Sequence, residues 1–276
     1  MIRNTRKPVV ALLLAGLIGC AKSSADTPLP TVTITAHEFG YQIPAVIPAG
    51  VTRIQIVNEG QELHHVQLVR LAEGHTAADL GKAFESGGAP DWAIPVGGPN
   101  AAQPGDTSAT IQSLEPGHYV ALCFIPGTDK VPHFMKGMVQ EFEVVGGKAA
   151  SLATEPKADV TVQLADYSFR LSGPVSAGHQ VIAVENTGPQ EHEVVIARID
   201  DGKTLEDLLG WVATMSGPPP GSFLGGVVGL ASGGKSYIDA HLLAGNYALI
   251  CFVPDAKDGK PHLMHGMVTQ FKVNPA

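Results

Sequence analysis

Charge is scarce in this chain. Only 16% of its 276 residues are charged while 44% are hydrophobic, a balance that suits a packed core and excludes a disordered chain. Basic residues are the scarcer sign: 18 Lys and Arg stand against 26 Asp and Glu, for a formal charge of −8. With no long basic run either, nucleic acid is excluded as a partner. Long apolar runs are missing except at the extreme N-terminus. No Gly-x-Ser-x-Gly elbow and no His-x-x-Glu-His motif occurs, which weighs against a hydrolase. What the chain has in plenty is glycine (32) and proline (21), hence many turns and short strands rather than long helices.

The N-terminus carries an address. Arg3, Arg6 and Lys7 precede the apolar run Val9 to Ile18, which is too short to span a bilayer and reads as a secretory signal over residues 1–19. It ends in Leu17-Ile18-Gly19-Cys20, which resembles a bacterial lipobox. That resemblance implies cleavage before Cys20, lipidation of Cys20, and a membrane attachment by lipid anchor only, on the periplasmic side. Ala21 in place of Asp implies the outer membrane of a Gram-negative cell. Residues 20–30 then serve as the lipidated Cys and its tether. Loss of the three leading positive charges takes the formal charge from −8 to −11, which favours partners with a basic face.

The rest of the chain is one domain written twice. VNEGQELHHVQLVRL around Asn58 answers VENTGPQEHEVVIARI around Asn186, and EPGHYVALCFIPGTDKVPHFMKGMVQEFEV answers LAGNYALICFVPDAKDGKPHLMHGMVTQFKV. Asn58 and Asn186, His64 and His192, and Cys123 and Cys251 are each 128 residues apart. His133 and His262 are 129 apart, so one residue is inserted between Cys and His in the second copy. The expected organisation is domain one over 31–145, a linker over 146–158 rich in Ala, Gly and Ser, and domain two over 159–276.

Within each copy the hydrophobic period is mostly two, as in Val32, Ile34 and Ala36 or Tyr119–Phe124, with counterparts such as Val160–Leu164 and Tyr247–Phe252. Short alternating runs between Gly/Pro turns predict an all-β sandwich. One helix per copy is expected, near Ala77–Glu85 and Leu205–Met215. A long Gly/Pro-rich loop follows each, over Gly87–Gly105 and Gly217–Gly234, a length that points to function or mobility as readily as to a plain insertion.

Each copy holds one early His, then one Cys, one His and one Met: His64, Cys123, His133 and Met138, and again His192, Cys251, His262 and Met267. With its Asn-x5-His, its Cys-x-x-Pro and its His-x4-Met inside a Gly-Met, this set resembles the cupredoxin (blue-copper) family over essentially all of both copies. The resemblance implies two tandem Greek-key β-sandwich (cupredoxin-like) domains with up to two mononuclear coppers per chain, one in each domain. Two imidazoles and a thiolate make a trigonal site, and a thioether adds a weak axial bond. Met135 and Met264 offer second thioethers, whose plain alternative is core packing. After the early His the family often has Asn or another polar group tying the two ligand loops together. His65 and Glu193 stand there, which implies an altered support for the metal, above all in the second copy. His265 is expected at the surface or beside the site, because its counterpart is Lys136.

The long Cys-to-His loops look closest to those of copper nitrite reductases, but such enzymes bind a second copper partly through a His just before the Cys, where this chain has Leu122 and Ile250. No His-x-His pair of the multicopper oxidases occurs among 11 histidines, and each loop has one Cys, too few for a binuclear centre. The expectation is therefore a non-enzyme: an electron carrier whose partner is a cytochrome or oxidoreductase with a basic docking face. Copper storage or delivery, and a metal-free structural lipoprotein, are the alternatives. Cys20, Cys123 and Cys251 are all the cysteines there are; the rival use of the last two is a disulfide between them.

Overall fold

The computed structural model describes residues 1, 29–214 and 216–276. The signal over 1–19, Cys20 with nearly all of the tether, and Met215 at the expected end of the second helix lie outside the described residues. In the described residues two short α-helices, Ala77–Glu85 and Leu205–Thr214, accompany 18 strands, so the all-β expectation holds. Thr76 starts the first helix through a reciprocal capping box with Asp79, and Thr204 with Asp207 does the same for the second. Among the described residues no helix is long and apolar enough to cross a membrane.

Each copy folds as a sandwich of two sheets. In unit one a five-stranded sheet runs Val46–Pro48, Val139–Val145, Gly117–Leu122, Gln67–Leu71, Ala93–Pro95. In unit two its counterpart runs Val175–Ser176, Val268–Asn274, Gly245–Ile250, His192–Ile199, Gly221–Leu230. Alternation supplies the packing. Val32, Ile34 and Ala36 turn inward from Thr31–His37, as Val160, Val162 and Leu164 do from Val160–Ala165. Each set enters its own core, together with Tyr119 and Phe142 in unit one and Tyr247 and Leu249 in unit two.

The remaining sheets of the two units are one. Eight strands run in the order Ser168–Leu171, Val160–Ala165, Gly178–Asn186, Lys235–Leu242, Thr107–Leu114, Gly50–Asn58, Thr31–His37, Gly40–Gln42. The units meet in the middle, where Tyr237 pairs Ile111 and Ile238 pairs Thr110. Arg53 Nε reaches Asp239 Oδ2 across this seam at 2.6 Å.

The Gly217–Gly234 stretch is not a loop. Its residues Gly221–Leu230 form a strand against His192–Ile199. The stretch over 87–105 is part strand as well, at Ala93–Pro95. Beyond it the chain crosses to the other unit, pairing Val96 with Leu230 and Pro99 with Val227. Both Gly/Pro-rich stretches are thus part of the contact between the units. The segment between the copies is also held: Ser151 N donates to Ala49 O, and Glu155 accepts from Tyr237 Oη at 2.6 Å.

Candidate metal centres

The early His is positioned by the Asn six residues earlier. Asn58 Nδ2 donates to the carbonyls of Glu62 and Ala102, and its Oδ1 accepts from Gly60 N. Asn186 repeats all three bonds with Gln190, Leu230 and Gly188. This bracket closes the turn, so that His64 and His192 enter the core beside the Cys strand. Gly60 and Gly188 keep the turn thin: a Cβ there would lie 2.9 Å from His64 Nε2 or 2.8 Å from His192 Nε2.

The late donors come from one compact turn. Cys123 directly follows the strand Gly117–Leu122, and Cys251 follows Gly245–Ile250. After the loop, Pro132 and Pro261 start short 3-10 turns whose first residues are His133 and His262. Gly137 and Gly266, at φ 101° and 91°, end those turns in the left-handed region that favours glycine. Met138 N then donates to His133 O, and Cys123 N to Met138 O; Met267, His262 and Cys251 repeat the pattern. All eight side chains of the two expected sets are fully buried.

Within each set three donor atoms converge. His64 Nδ1 lies 3.1 Å from His133 Nδ1, which is 3.6 Å from Cys123 Sγ. In unit two His192 Nδ1 lies 3.0 Å from His262 Nδ1, which is 3.5 Å from Cys251 Sγ. The outward nitrogens face carboxylates. His133 Nε2 is 2.8 Å from Glu62 and His192 Nε2 is 2.6 Å from Asp166. The other ring of each pair is held more loosely, with His64 3.5 Å from Glu38 and His262 3.9 Å from Asp255. Both of those Nε2 atoms are buried without a hydrogen-bond partner. The tight carboxylate therefore serves the late His in unit one and the early His in unit two. Phe39 and Tyr167 cover the late rings, at 5.1 Å from His133 and 5.2 Å from His262.

This arrangement fits a metal ion. A ring that donates its Nε2 proton to a carboxylate presents a bare lone pair at Nδ1. In each pair one ring, His133 or His192, is held in that form, and its lone pair lies about 3 Å from the other ring's Nδ1 with the sulfur beside them, so the three donor atoms can converge on one cation. Burial, and then the adjacent His133, keeps His64 below the usual imidazole range. Burial does the same for His192 and His262, which favours the neutral, ligating form. Burial pushes the free Cys123 thiol up to about 11 and raises Cys251 as well. A bound metal reverses this, since a coordinating thiol is deprotonated outright. The amides of His65 and Ile125 point at Cys123 Sγ, and those of Glu193 and Val253 at Cys251 Sγ, and these bonds favour the thiolate. Two imidazoles with one thiolate match copper among the common metals, so the two buried His-Cys-His groups fit one copper ion per domain.

Several expectations change. Met135 and Met264 are 62% and 70% exposed, so neither packs in a core. Both sit on the outside of the 3-10 turn, while Met138 and Met267 are fully buried. Cys123 and Cys251 are free and lie in separate cores, which removes the disulfide. The support from His65 and Glu193 is present in both units: His65 Nε2 accepts from Phe124 N at 2.8 Å, and Glu193 Oε1 from Phe252 N at 2.9 Å. Each side chain thus ties the early-His segment to the residue after the Cys. His265 stacks on Tyr167 and lies 3.2 Å from Asp258 at the surface. Sequence reasoning missed Glu38, Glu62, Phe39, Asp166, Tyr167 and Asp255. The first hint was there, since Glu38-Phe39 and Asp166-Tyr167 obey the same 128-residue offset.

A scan against protein-family models finds no match, and a search of curated proteins finds none. Solved structures do match. Dithionite-reduced auracyanin from the photosynthetic bacterium Roseiflexus castenholzii aligns with 42% of this chain and 96% of its own, at 20% identity and TM-score 0.31. A multicopper oxidase aligns with 89% of each chain, at 14% identity and TM-score 0.26. A copper-containing nitrite reductase from Thermus scotoductus SA-01 aligns with 89% of this chain and 61% of its own, at 14% identity and TM-score 0.24. These last two are enzymes, and they match along both units. The expectation of a non-enzyme, drawn from Leu122, Ile250 and the missing His-x-His pairs, is overturned by them and is not kept.

Proposed function

We propose that this chain is a copper protein of the bacterial cell envelope that transfers electrons through two mononuclear, type 1-like centres, one in each cupredoxin-like unit. The observation that carries this reading is the burial of two His-Cys-His sets whose Nδ1 and Sγ atoms converge in the same way in both units. Copper bound there supplies a one-electron Cu(II)/Cu(I) couple. The chain's own part is to hold the donors still. His64, His133 and Cys123 are fixed by the Asn58 bracket and the Pro132–Met138 turn, and their counterparts by Asn186 and Pro261–Met267. A rigid donor set accepts both oxidation states without rearranging, which suits electron transfer. Burial of every donor also supports a carrier over a delivery protein, because exchange needs an exposed metal.

Met138 and Met267 are the buried thioethers that would complete each donor set in this reading. Attachment through a lipidated Cys20 is supported by the basic, apolar and lipobox-like order of residues 3–20. A redox partner with a basic docking face, such as a cytochrome or oxidoreductase, suits the negative charge of the chain.

The test is copper content with optical and EPR spectra of the loaded chain. The expected result is two coppers with intense thiolate-to-copper absorption, and the loss of one copper in each of Cys123→Ser and Cys251→Ser. Unchanged stoichiometry in both variants would overturn the assignment. For the anchor, Cys20→Ala should release the protein from membranes, and retention would count against lipidation.

A further inference from the structure

The late His of each centre is fully buried, so a partner protein cannot touch that ring itself. What a partner can touch is the group lying over it. The two repeats cover the ring in the same way and then differ. Phe39 and Tyr167 are 128 residues apart. Phe39 lies 5.1 Å from His133 at an interplanar angle of 57°, and Tyr167 lies 5.2 Å from His262 at 62°. The next group outward is Lys136 in unit one and His265 in unit two, each three residues after its late His.

Unit two continues the line of rings. His265 stacks on Tyr167 with centroids 4.8 Å apart and planes 26° from parallel. Its side chain is 28% exposed. Three aromatic rings, each within pairing distance of the next, thus lead from a buried donor to the surface. The outer two are held from the side. The Tyr167 hydroxyl donates to Asp255, which also accepts from Gln190 Nε2 at 3.0 Å. His265 Nε2 lies 3.2 Å from Asp258 Oδ1. Unit one ends the line one step earlier. Lys136 Nζ lies 4.5 Å from the centre of the Phe39 ring and 2.7 Å from Asp129. That contact is a cation–π pair, and an ammonium has no π orbitals to carry an electron further. The turn itself does not need an outer ring, because both 3-10 turns close in the same way on Gly137 and Gly266.

We propose that electrons enter and leave the chain through unit two, along the rings of His262, Tyr167 and His265, and that His265 is the point of contact for a redox partner. This rests on the reading that each centre holds copper. One electron from an external reductant turns Cu(II) into Cu(I). No covalent bond forms or breaks, and no ring is itself oxidised. Tunnelling weakens steeply across empty gaps, and rings packed against one another shorten those gaps. His265 acts through Tyr167 and is a positioning residue.

The experiment uses the copper-loaded full chain and an anionic outer-sphere reductant, the iron(II)–EDTA complex. Cys123→Ser leaves the centre of unit two alone and Cys251→Ser that of unit one, so stopped-flow absorbance reads the reduction rate of each. The expected result is a several-fold slower reduction of centre two in His265→Leu, with its reduction potential and absorption unchanged. His265→Phe changes the charge in the same way but keeps a ring, and should restore the rate. Lys136→His should speed centre one, although loss of a cation by itself would slow an anionic reductant. The stack is read separately by NMR of the metal-free chain. There the His265 ring protons should show the upfield shift of a stacked ring and lose it in Tyr167→Leu. Equal rates in the parent and His265→Leu, or an equal loss in His265→Phe, with copper bound, overturn the route and leave the copper reading intact. A missing ring shift in the metal-free chain overturns the route as well. A parent chain that binds no copper overturns both.

Discussion

Thr110 and Ile238 stand at the same position of the two repeats and pair with each other across the seam. Within its own unit Thr110 pairs Ile54, and Ile238 pairs Ile182, so each residue has an equivalent neighbour on one side and the other copy's equivalent on the other. The repeats therefore join as two halves of an isologous dimer would, by a self-complementary patch. The Asn100–Gly226 and Val228–Gly98 bonds obey the same relation.

A shared sheet should unfold as a whole. Ile238 is 2% exposed and packs in the core of unit two. Ile238→Ala is expected to cost about 2–4 kcal/mol through lost burial and a residual cavity. Calorimetry of the metal-free chain should show one transition, moved to lower temperature by the substitution. A separate melt of unit one at its original temperature would contradict the joined sheet.

The seam should also be sensitive to acid. Burial alone would raise the Asp239 carboxyl, but Arg53 and His179 outweigh it and hold it below its usual 3.8. A carboxylate depressed in the folded state binds fewer protons there than in the unfolded chain. Its contribution is therefore complete above about pH 4 and is lost as pH falls through the lower, folded value. Denaturant titrations across this range should show a smaller acid-side loss of stability in Asp239→Asn than in the parent. Identical slopes would remove the ion pair from the account.

The carboxylates behind the histidines orient the rings. Glu62→Gln and Asp166→Asn remove the two close partners, at 2.8 and 2.6 Å. Each should weaken copper binding at its own centre by roughly 10- to 100-fold, read by competition against a copper chelator. Because the tight carboxylate serves the late His in unit one and the early His in unit two, neither change should weaken the other centre.

The four methionines near the sites should divide in two. Met138→Leu and Met267→Leu should keep copper, with a shifted reduction potential and altered absorption. Met135→Leu and Met264→Leu lie outside on exposed turns and should change neither. A potential that moves only with the exposed pair would transfer the axial role to Met135 and Met264.

The donor set and most strands were legible because they rest on local patterns. The first helix has the bounds that its periodicity predicts, Ala77–Glu85, and the recurrence of His, Cys, His and Met survives as geometry. The strand Gly221–Leu230 was hidden by the same glycines that make it possible, since a Cβ at Gly226 would collide with the Val194 carbonyl. Glycine read as a loop signal there marks a close backbone approach instead. His65 and Glu193 looked like departures because neither is the Asn that the resembled family often has after the early His. Their shared task became visible only from the two amides they receive. The pairing of Thr110 with Ile238 has no local signal at all, because nothing in either strand says that its open side will meet its own copy.

The seam has a further consequence for aggregation. In a separate sandwich, Thr107–Leu114 would be an edge strand presenting unpaired N–H and C=O groups beside Ala109 and Ile111, the kind of surface on which proteins aggregate. Here each copy's edge caps the other's. Because both lie in one polypeptide, the encounter is intramolecular and does not depend on how many molecules are present. The duplication thus gives at any dilution a protection that two free copies would have only when concentrated.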